Sequence, residues 1–352
     1  MRTPGVIADA PATSWRGALK RTVAEFKSDE LTAWAAALTY YSVLSIFPAI
    51  LVVVSLVGLA GQSTTDELIK NIGTLAPGAV RDLLVSSVRQ LQGGTGGAGV
   101  IAVVSLLGAV WSASGYVGAF MRASNIVYDI PEGRPIWKTV PVRVSVTLVT
   151  LVLLSASVIA VVVTGPLARK AGDVLGVGSQ AVTVWNIVKW PVLLIVVAFL
   201  FMLLYWSAPN VKGGMRQVVP GAVLAILLWL AASSLFALYV ANFSSYNKTY
   251  GSLAAVIIFL VWLWITNIAI LLGAELNAEL ERSRAIAAGT PPDKEPYVEF
   301  RDTRGFDEEE RREVGLDKNQ DKNQDKDKDS DTSAAPERGA APETRRGAGG
   351  PS

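Results

Sequence analysis

The chain contains no cysteine and no histidine. Without cysteine there is no disulfide framework, no iron–sulfur cluster and no zinc finger. Without histidine the commonest general base and the commonest transition-metal ligand are missing. Charge is scarce as well: Asp, Glu, Lys and Arg make up 18% of the 352 residues, where soluble domains carry about 25%. No acidic residue occurs between Asp173 and Glu275. The formal net charge of +2 disfavours a whole-chain nucleic-acid partner. No Walker A or Rossmann glycine pattern is present, which removes a built-in ATPase and a dinucleotide cofactor.

What fills the space is apolar. Hydrophobic residues reach 51%. Six stretches carry no Asp, Glu, Lys or Arg: Leu31–Thr65, Gln90–Met121, Val144–Ala168, Trp190–Val211, Gln217–Asn247 and Thr249–Ala274. A bilayer core needs about 20 apolar residues of helix to cross it, and a soluble core helix rarely stays charge-free beyond about 14. Trimmed by hydropathy, the stretches predict spans at 33–59, 99–121, 142–164, 186–207, 218–241 and 252–275. Strands of a membrane barrel would alternate polar with apolar, and VTLVTLVLLSASVIAVVV does not. The expected fold is all-α: a polytopic membrane protein with six transmembrane helices occupying 32–285.

Six spans put both termini on one side. That side carries 13 Lys and Arg, including Arg16, Lys20, Arg21, Lys27, Arg134 and Lys138, against 7 on the other. The positive-inside rule therefore places both termini in the cytoplasm. Within residues 1–31, Trp15, Leu19, Val23 and Phe26 share one helical face. That pattern reads as an amphipathic helix lying on the inner leaflet, or packed on the bundle. Residues 65–92 read as an outer cap of two short amphipathic helices. From Pro291 the composition changes, with 17 acidic against 12 basic residues, and DKNQDKNQDKDKDS at 317–330 has no apolar member. Residues 290–352 are expected to be a disordered, charged cytoplasmic tail.

Polar and small residues recur inside the spans at helical spacing. Tyr41, Ser45 and Pro48 share a face of the first. Ser112 and Gly115 belong to a small-residue stripe in the second, Gly221 and Ala225 to one in the fifth, and Ala269 and Gly273 to one in the sixth. Such stripes let helix backbones approach closely; lining a polar path is the competing reading. Asn267 and Glu275 lie two turns apart in the sixth span, with Glu275 at its end, where Arg122 or Arg282 is the expected ion-pair partner. No charge falls in any of the six stretches, which disfavours a midplane proton relay.

Three segments carry a resemblance. LTYYSVLSIFPAILVV (38–53), WSASGYVGAFMRASNIVYDI (111–130) and PGAVLAILLW (220–229), the last followed by YVANFSSYNKTYGSLAAVIIFLVWLWITNIAILLGAELNAEL (239–280), resemble the YihY/BrkB family of bacterial inner-membrane proteins over about residues 15–285. The resemblance marks Tyr41, Ser45, Pro48, Asn125, Tyr246, Tyr250, Gly251, Gly273 and Glu275 as positions of shared function or shared packing. It implies a role in the cell envelope: members are associated with serum resistance and envelope integrity, and a subgroup with export of lipid A precursors. Members have also been labelled ribonuclease BN. Enzymes that genuinely carry that activity resemble His-rich zinc hydrolases, and this chain has no His.

The resulting expectation is a non-enzymatic, multi-pass membrane protein without cofactor or metal. Its partners would be membrane lipids and a lipid-like cargo that it transports or flips. A non-transporting scaffold or assembly partner is the alternative.

Overall fold

The computed structural model describes residues 15–58, 98–162, 179–241, 252–292 and 294–316. Helix α1 covers Trp15–Ser28, and Glu30, in the left-handed region at φ 50, turns the chain into α2, Leu31–Gly58. The other long helices are α3 (Ala98–Val127), α4 (Ile136–Val162), α5 (Ser179–Ser207), α6 (Val219–Ala241) and α7 (Ser252–Ala287). Each of the six charge-free stretches contributes to one of α2–α7. Among the described residues, four helices are long and apolar enough to cross a membrane, within α4, α5, α6 and α7, and a shorter apolar stretch occupies Leu31–Ile46 of α2.

Helices α2 to α7 form a circuit in which each touches the next and α7 returns to α2. Helix α1 lies against α7. It buries Ala18 and Thr22 and leaves Leu19 and Val23 exposed. The helix is thus packed on the bundle by its small-residue face, while two of its large apolar residues stay free to meet an interface.

Burial is concentrated at the end of the bundle that carries both chain flanks. Leu31, Leu38, Phe120, Phe201, Tyr205 and Leu271 centre the core there. Rings stack through it, with Tyr116 and Phe120 centroids 6.4 Å apart and Phe120 and Tyr205 6.1 Å apart. Farther along the helices the packing loosens. In α6 Ala222, Ala225 and Ile226 are buried, yet no residue from 227 to 239 is. In α7 burial begins at Asn267 and is absent from 256 to 266. Trp137, Trp185, Trp190 and Trp206 are exposed, as amphipathic rings at an interface are.

Small residues make the tightest contact. A Cβ on Gly221 would fall 2.1 Å from the Gly273 carbonyl oxygen, and one on Gly273 would fall 2.4 Å from the Tyr205 hydroxyl. Helices α6 and α7 meet there backbone to backbone. Lipid offers no hydrophobic force to drive helices together, so close approach and interhelical hydrogen bonds must do it. Asn277 adds one, accepting from the Gly221 amide at 2.8 Å.

The expectation of disorder from residue 290 is corrected over its first stretch. Residues 294–306 fold back across the flank-bearing end as an ordered strap. Val211 and Phe300 form an isolated antiparallel bridge. The Lys212 amide donates to the Glu299 carbonyl at 2.8 Å, and the Arg301 amide to the Asn210 carbonyl at 2.9 Å. Phe306 is buried and meets Phe300 edge-on at 5.2 Å. The reason is local composition. The repeat at 317–330 carries no apolar residue, whereas Tyr297, Val298, Phe300 and Phe306 give the strap an apolar side whose burial is favourable. A separate short helix, α8 (Glu308–Glu313), is capped by Asp307, which accepts from the Glu310 amide at 2.8 Å. The outer cap at 65–92 and the remainder of the tail, 317–352, lie outside the described residues.

Candidate functional site

The polar residues singled out by the sequence fall into three places. The first is a belt between α2, α3 and α7. The Tyr116 hydroxyl donates to Asn267 Oδ1 at 3.0 Å, and Asn267 Nδ2 donates to Thr39 Oγ1 at 3.1 Å. Thr39 in turn donates to the Ala35 carbonyl at 2.8 Å. Asn267 is therefore shared between two neighbouring helices, at the level where tight packing gives way to loose. One helix face away, Tyr41 lays its ring on Gly115, where a Cβ would sit 3.3 Å from it. Ser45 donates to the Tyr41 carbonyl at 2.7 Å and lies 3.3 Å from that of Ala113. Pro48 lies within α2, whose helix runs on to Gly58. Ser112 is exposed. Tyr246, Tyr250 and Gly251 lie outside the described residues.

The second place is a hub at the flank-bearing end, and Asn125 belongs to it. Helix α3 ends in a Schellman turn: Asp129 is left-handed at φ 50, and the Ile130 amide returns to the Asn125 carbonyl at 3.0 Å. That exit aims Asn125 Nδ2 at Glu132 Oε2, 2.9 Å away, and its Oδ1 accepts from the Asn210 amide at 2.9 Å. Glu132 holds Arg134 through two contacts of 2.7 Å. Arg134, 5% exposed, also donates to the Ser207 and Ala208 carbonyls at 3.0 and 2.6 Å. It thereby satisfies the C-terminal carbonyls of α5 and complements that helix's dipole. Asn210 is fully buried and exchanges two hydrogen bonds with the strap at Asp302, of 2.7 and 3.0 Å.

Asp302 fastens the strap. Arg304 Nε and Nη2 donate to it at 3.0 and 2.8 Å, and Lys138 Nζ at 2.7 Å. The Arg304 side chain first, then Lys138, hold its carboxyl well below the usual carboxylate range. A depressed carboxylate stabilises the fold above its unfolded value, near 3.9, and that contribution fades as pH falls through the lower folded value. Amide exchange across 300–306 should therefore stay slow from pH 8 down to about pH 4 and rise only in stronger acid. Asp302→Asn should raise it at neutral pH and flatten the acid dependence. Hydrogen exchange read by mass spectrometry checks both.

The third place is an acidic cleft at the same end. Glu25 and Asp29 line it from the end of α1, Asp129 from the exit of α3, and Glu275 and Glu279 from α7. The strap closes one wall with Tyr297 and Val298. Arg282 stands 3.4 Å from Glu279 and 3.8 Å from Glu25, with its guanidinium 4.8 Å from the centre of the Tyr297 ring. Arg21 of α1 pairs with Glu279 and donates to Ser283 Oγ at 2.8 Å. The expected pairing of Glu275 with Arg122 or Arg282 is not made. Arg282 is drawn to Glu279, three residues away on its own face, and Arg122 is exposed. Glu275 is 1% exposed, and its Oε2 has no hydrogen-bond partner. Among the described residues no group of three or more Asp or Glu is placed to hold a metal ion.

A family model described as virulence factor BrkB matches residues 22–297. The chain belongs to the BrkB family. The match takes in α2–α7, the acidic cleft and the first part of the strap. Among BrkB relatives, the ribonuclease-like protein YfkH of Bacillus subtilis (strain 168) is 31% identical over 282 residues, covering 79% of this chain and 98% of the relative. A UPF0761 membrane protein of Alkalilimnicola ehrlichii is 31% identical over 292 residues, covering 76% of this chain and 60% of the relative. One from Azotobacter vinelandii is 44% identical over 84 residues, 24% of this chain and 21% of the relative. No solved structure matches the chain. Family and apolar helices together make this BrkB chain a multi-pass membrane protein.

Sequence reasoning finds Asn125, Asn267 and Glu275, and it misses the partners of the two asparagines. Thr39 and Tyr116 sit in apolar runs where one hydroxyl adds no periodic signal. Asn210 follows Pro209, and that pair announces only a turn. The acids of the cleft are far apart in sequence, from 25 to 279, and only the fold gathers them.

Proposed function

We propose that the chain crosses a bacterial cytoplasmic membrane six times with both termini inside, and that it moves a lipid-like amphiphile between leaflets without enzymatic chemistry. The excess of Lys and Arg on the flank side supports the orientation. The observation that carries the functional reading is the change of packing along the bundle. The flank-bearing half is closed by the stacked rings of Tyr116, Phe120 and Tyr205. In the other half α6 and α7 lose all full burial, exposing Leu235, Leu238, Val256 and Ile257. Loosely packed apolar helices above a closed floor suit an acyl chain, and the Asn267 belt at the boundary offers polar groups to a headgroup. A headgroup held this way needs no charge at the membrane midplane. The ribonuclease-like name of one relative is not extended to this chain, which has no His to bind zinc.

The test is transbilayer movement of a fluorescent phospholipid in vesicles reconstituted with the protein. Wild type should accelerate it over empty vesicles. Asn267→Leu should reduce the rate several-fold while costing at most about 1–2 kcal/mol of stability, the scale of an interhelical hydrogen bond in lipid. Equal rates for wild type, Asn267→Leu and empty vesicles would leave the scaffold reading in its place.

A further inference from the structure

We propose that Glu275 is the inner ligand of a site for a primary ammonium group, in the acidic cleft between α1, α3, α7 and the strap. An ionised carboxylate buried without a partner is too costly to stand alone. It must take up a proton or a cation. Glu275 is in that position: its Oε2 is buried and unpartnered, and the residue lines the cleft. The surroundings favour a cation. Five carboxylates from three elements line the cleft, and the guanidiniums of Arg282 and Arg21 engage Glu279 and, for Arg282, also Glu25. The lining carries five acids and one guanidinium, that of Arg282, and a concave site of that composition concentrates cations.

The geometry selects the kind of cation. The acids do not converge as a metal cage would require. A primary ammonium needs no cage. It has three donors, so one can meet the Glu275 carboxylate while the others face water and the remaining carboxylates. The rings of Tyr128 and Tyr297 in the cleft wall suit an organic cation better than a hydrated metal ion. Two sources carry this chemistry: an aminated lipid headgroup reaching in from the bilayer surface, and a free amine. The site stands whether or not the protein moves what it binds.

The experiment uses the full chain purified in detergent, with thermal unfolding followed by tryptophan fluorescence. Ethylammonium chloride is titrated against tetramethylammonium, sodium and magnesium chlorides at matched ionic strength. Ethylammonium should raise the midpoint in a saturable way, and tetramethylammonium, which lacks N–H donors, should not. Glu275→Gln should weaken the apparent affinity at least tenfold. Should that variant fail to fold, Glu275→Asp and Asp129→Asn take its place, each expected to weaken ethylammonium several-fold. In nanodiscs, phosphatidylethanolamine should abolish the response to added ethylammonium if the lipid headgroup is the source, and phosphatidylglycerol should preserve it. An equal response in both discs identifies a free amine. The proposal is overturned if ethylammonium does no more than sodium, if only magnesium stabilises, or if the folded variants respond like wild type. The first of these outcomes would mean that Glu275 simply carries a proton.

Discussion

Replacing Gly221 with valine is expected to cost the protein its folded helical bundle. The added Cβ alone would stand 2.1 Å from the Gly273 carbonyl oxygen and 2.3 Å from Asn277 Nδ2. Neither obstacle is the loose end of a flexible chain: one is backbone, and the other is an amide committed to the contact between α6 and α7. The helices would have to separate, losing the Asn277 hydrogen bond to the Gly221 amide along with the close packing. Overpacking a tight core costs about 1–3 kcal/mol and sometimes more; separation of two principal helices puts Gly221→Val at or above the top of that range. Gly273→Val should behave alike, since its Cβ would meet the Tyr205 hydroxyl and the Gly221 carbonyl at 2.4 and 2.5 Å. Gly108→Ala is the control, because nothing lies within 4 Å of its added Cβ. Fluorescence-detected gel filtration after a heating series measures all three. A stable, monodisperse Gly221→Val protein would show that α6 and α7 do not meet as described.

Arg134→Ala should be nearly as damaging, for a different reason. The guanidinium is buried and serves Glu132 together with the last carbonyls of α5. Truncation strands all of them. Breaking a buried ion pair from one side costs about 3–5 kcal/mol. The Glu132 side chain retains 34% exposure and can recover some hydration, so the expected loss is about 2–4 kcal/mol. Arg134→Lys should recover little, because a single ammonium cannot span a carboxylate and two carbonyls as the planar fork does. Thermal midpoints in detergent would show it: a lysine variant as stable as wild type would mean that charge alone matters there.

How much of this is legible in the sequence depends on the length scale of the signal. A charge-free stretch of spanning length is visible residue by residue, and every such stretch contributes to a helix. Gly221, Ala225 and Gly273 are legible as packing residues because small side chains at a spacing of four align on one face. Asn267 stands out as an amide in an apolar run. Arg134, Asn210 and Asp302 do not stand out at all. They are ordinary polar residues in connecting segments, and their roles come from contacts spanning 73 to 164 positions along the chain. The strap escapes a composition averaged over the 62 residues from Pro291 to Ser352. The low-complexity repeat dominates that average and hides four large apolar residues near its start. Glu275 is legible as the first acid after a long charge-free stretch, but neither the continuation of its helix to Ala287 nor its pairing is, since one-dimensional proximity cannot tell which carboxylate a nearby arginine will choose.

The strap also changes where this protein can be cut. The family match stops at residue 297, yet Asn210, Lys212 and Gly133, all inside the matched region, bond to main-chain atoms between 299 and 305. A shortened version ending at the family boundary would keep every long helix and still strip hydrogen-bonding partners from the turns after α3 and α5. Trimming after Phe306 spares them. A deletion series that treated all sixty-odd terminal residues as dispensable would confuse loss of a tail with loss of a wall.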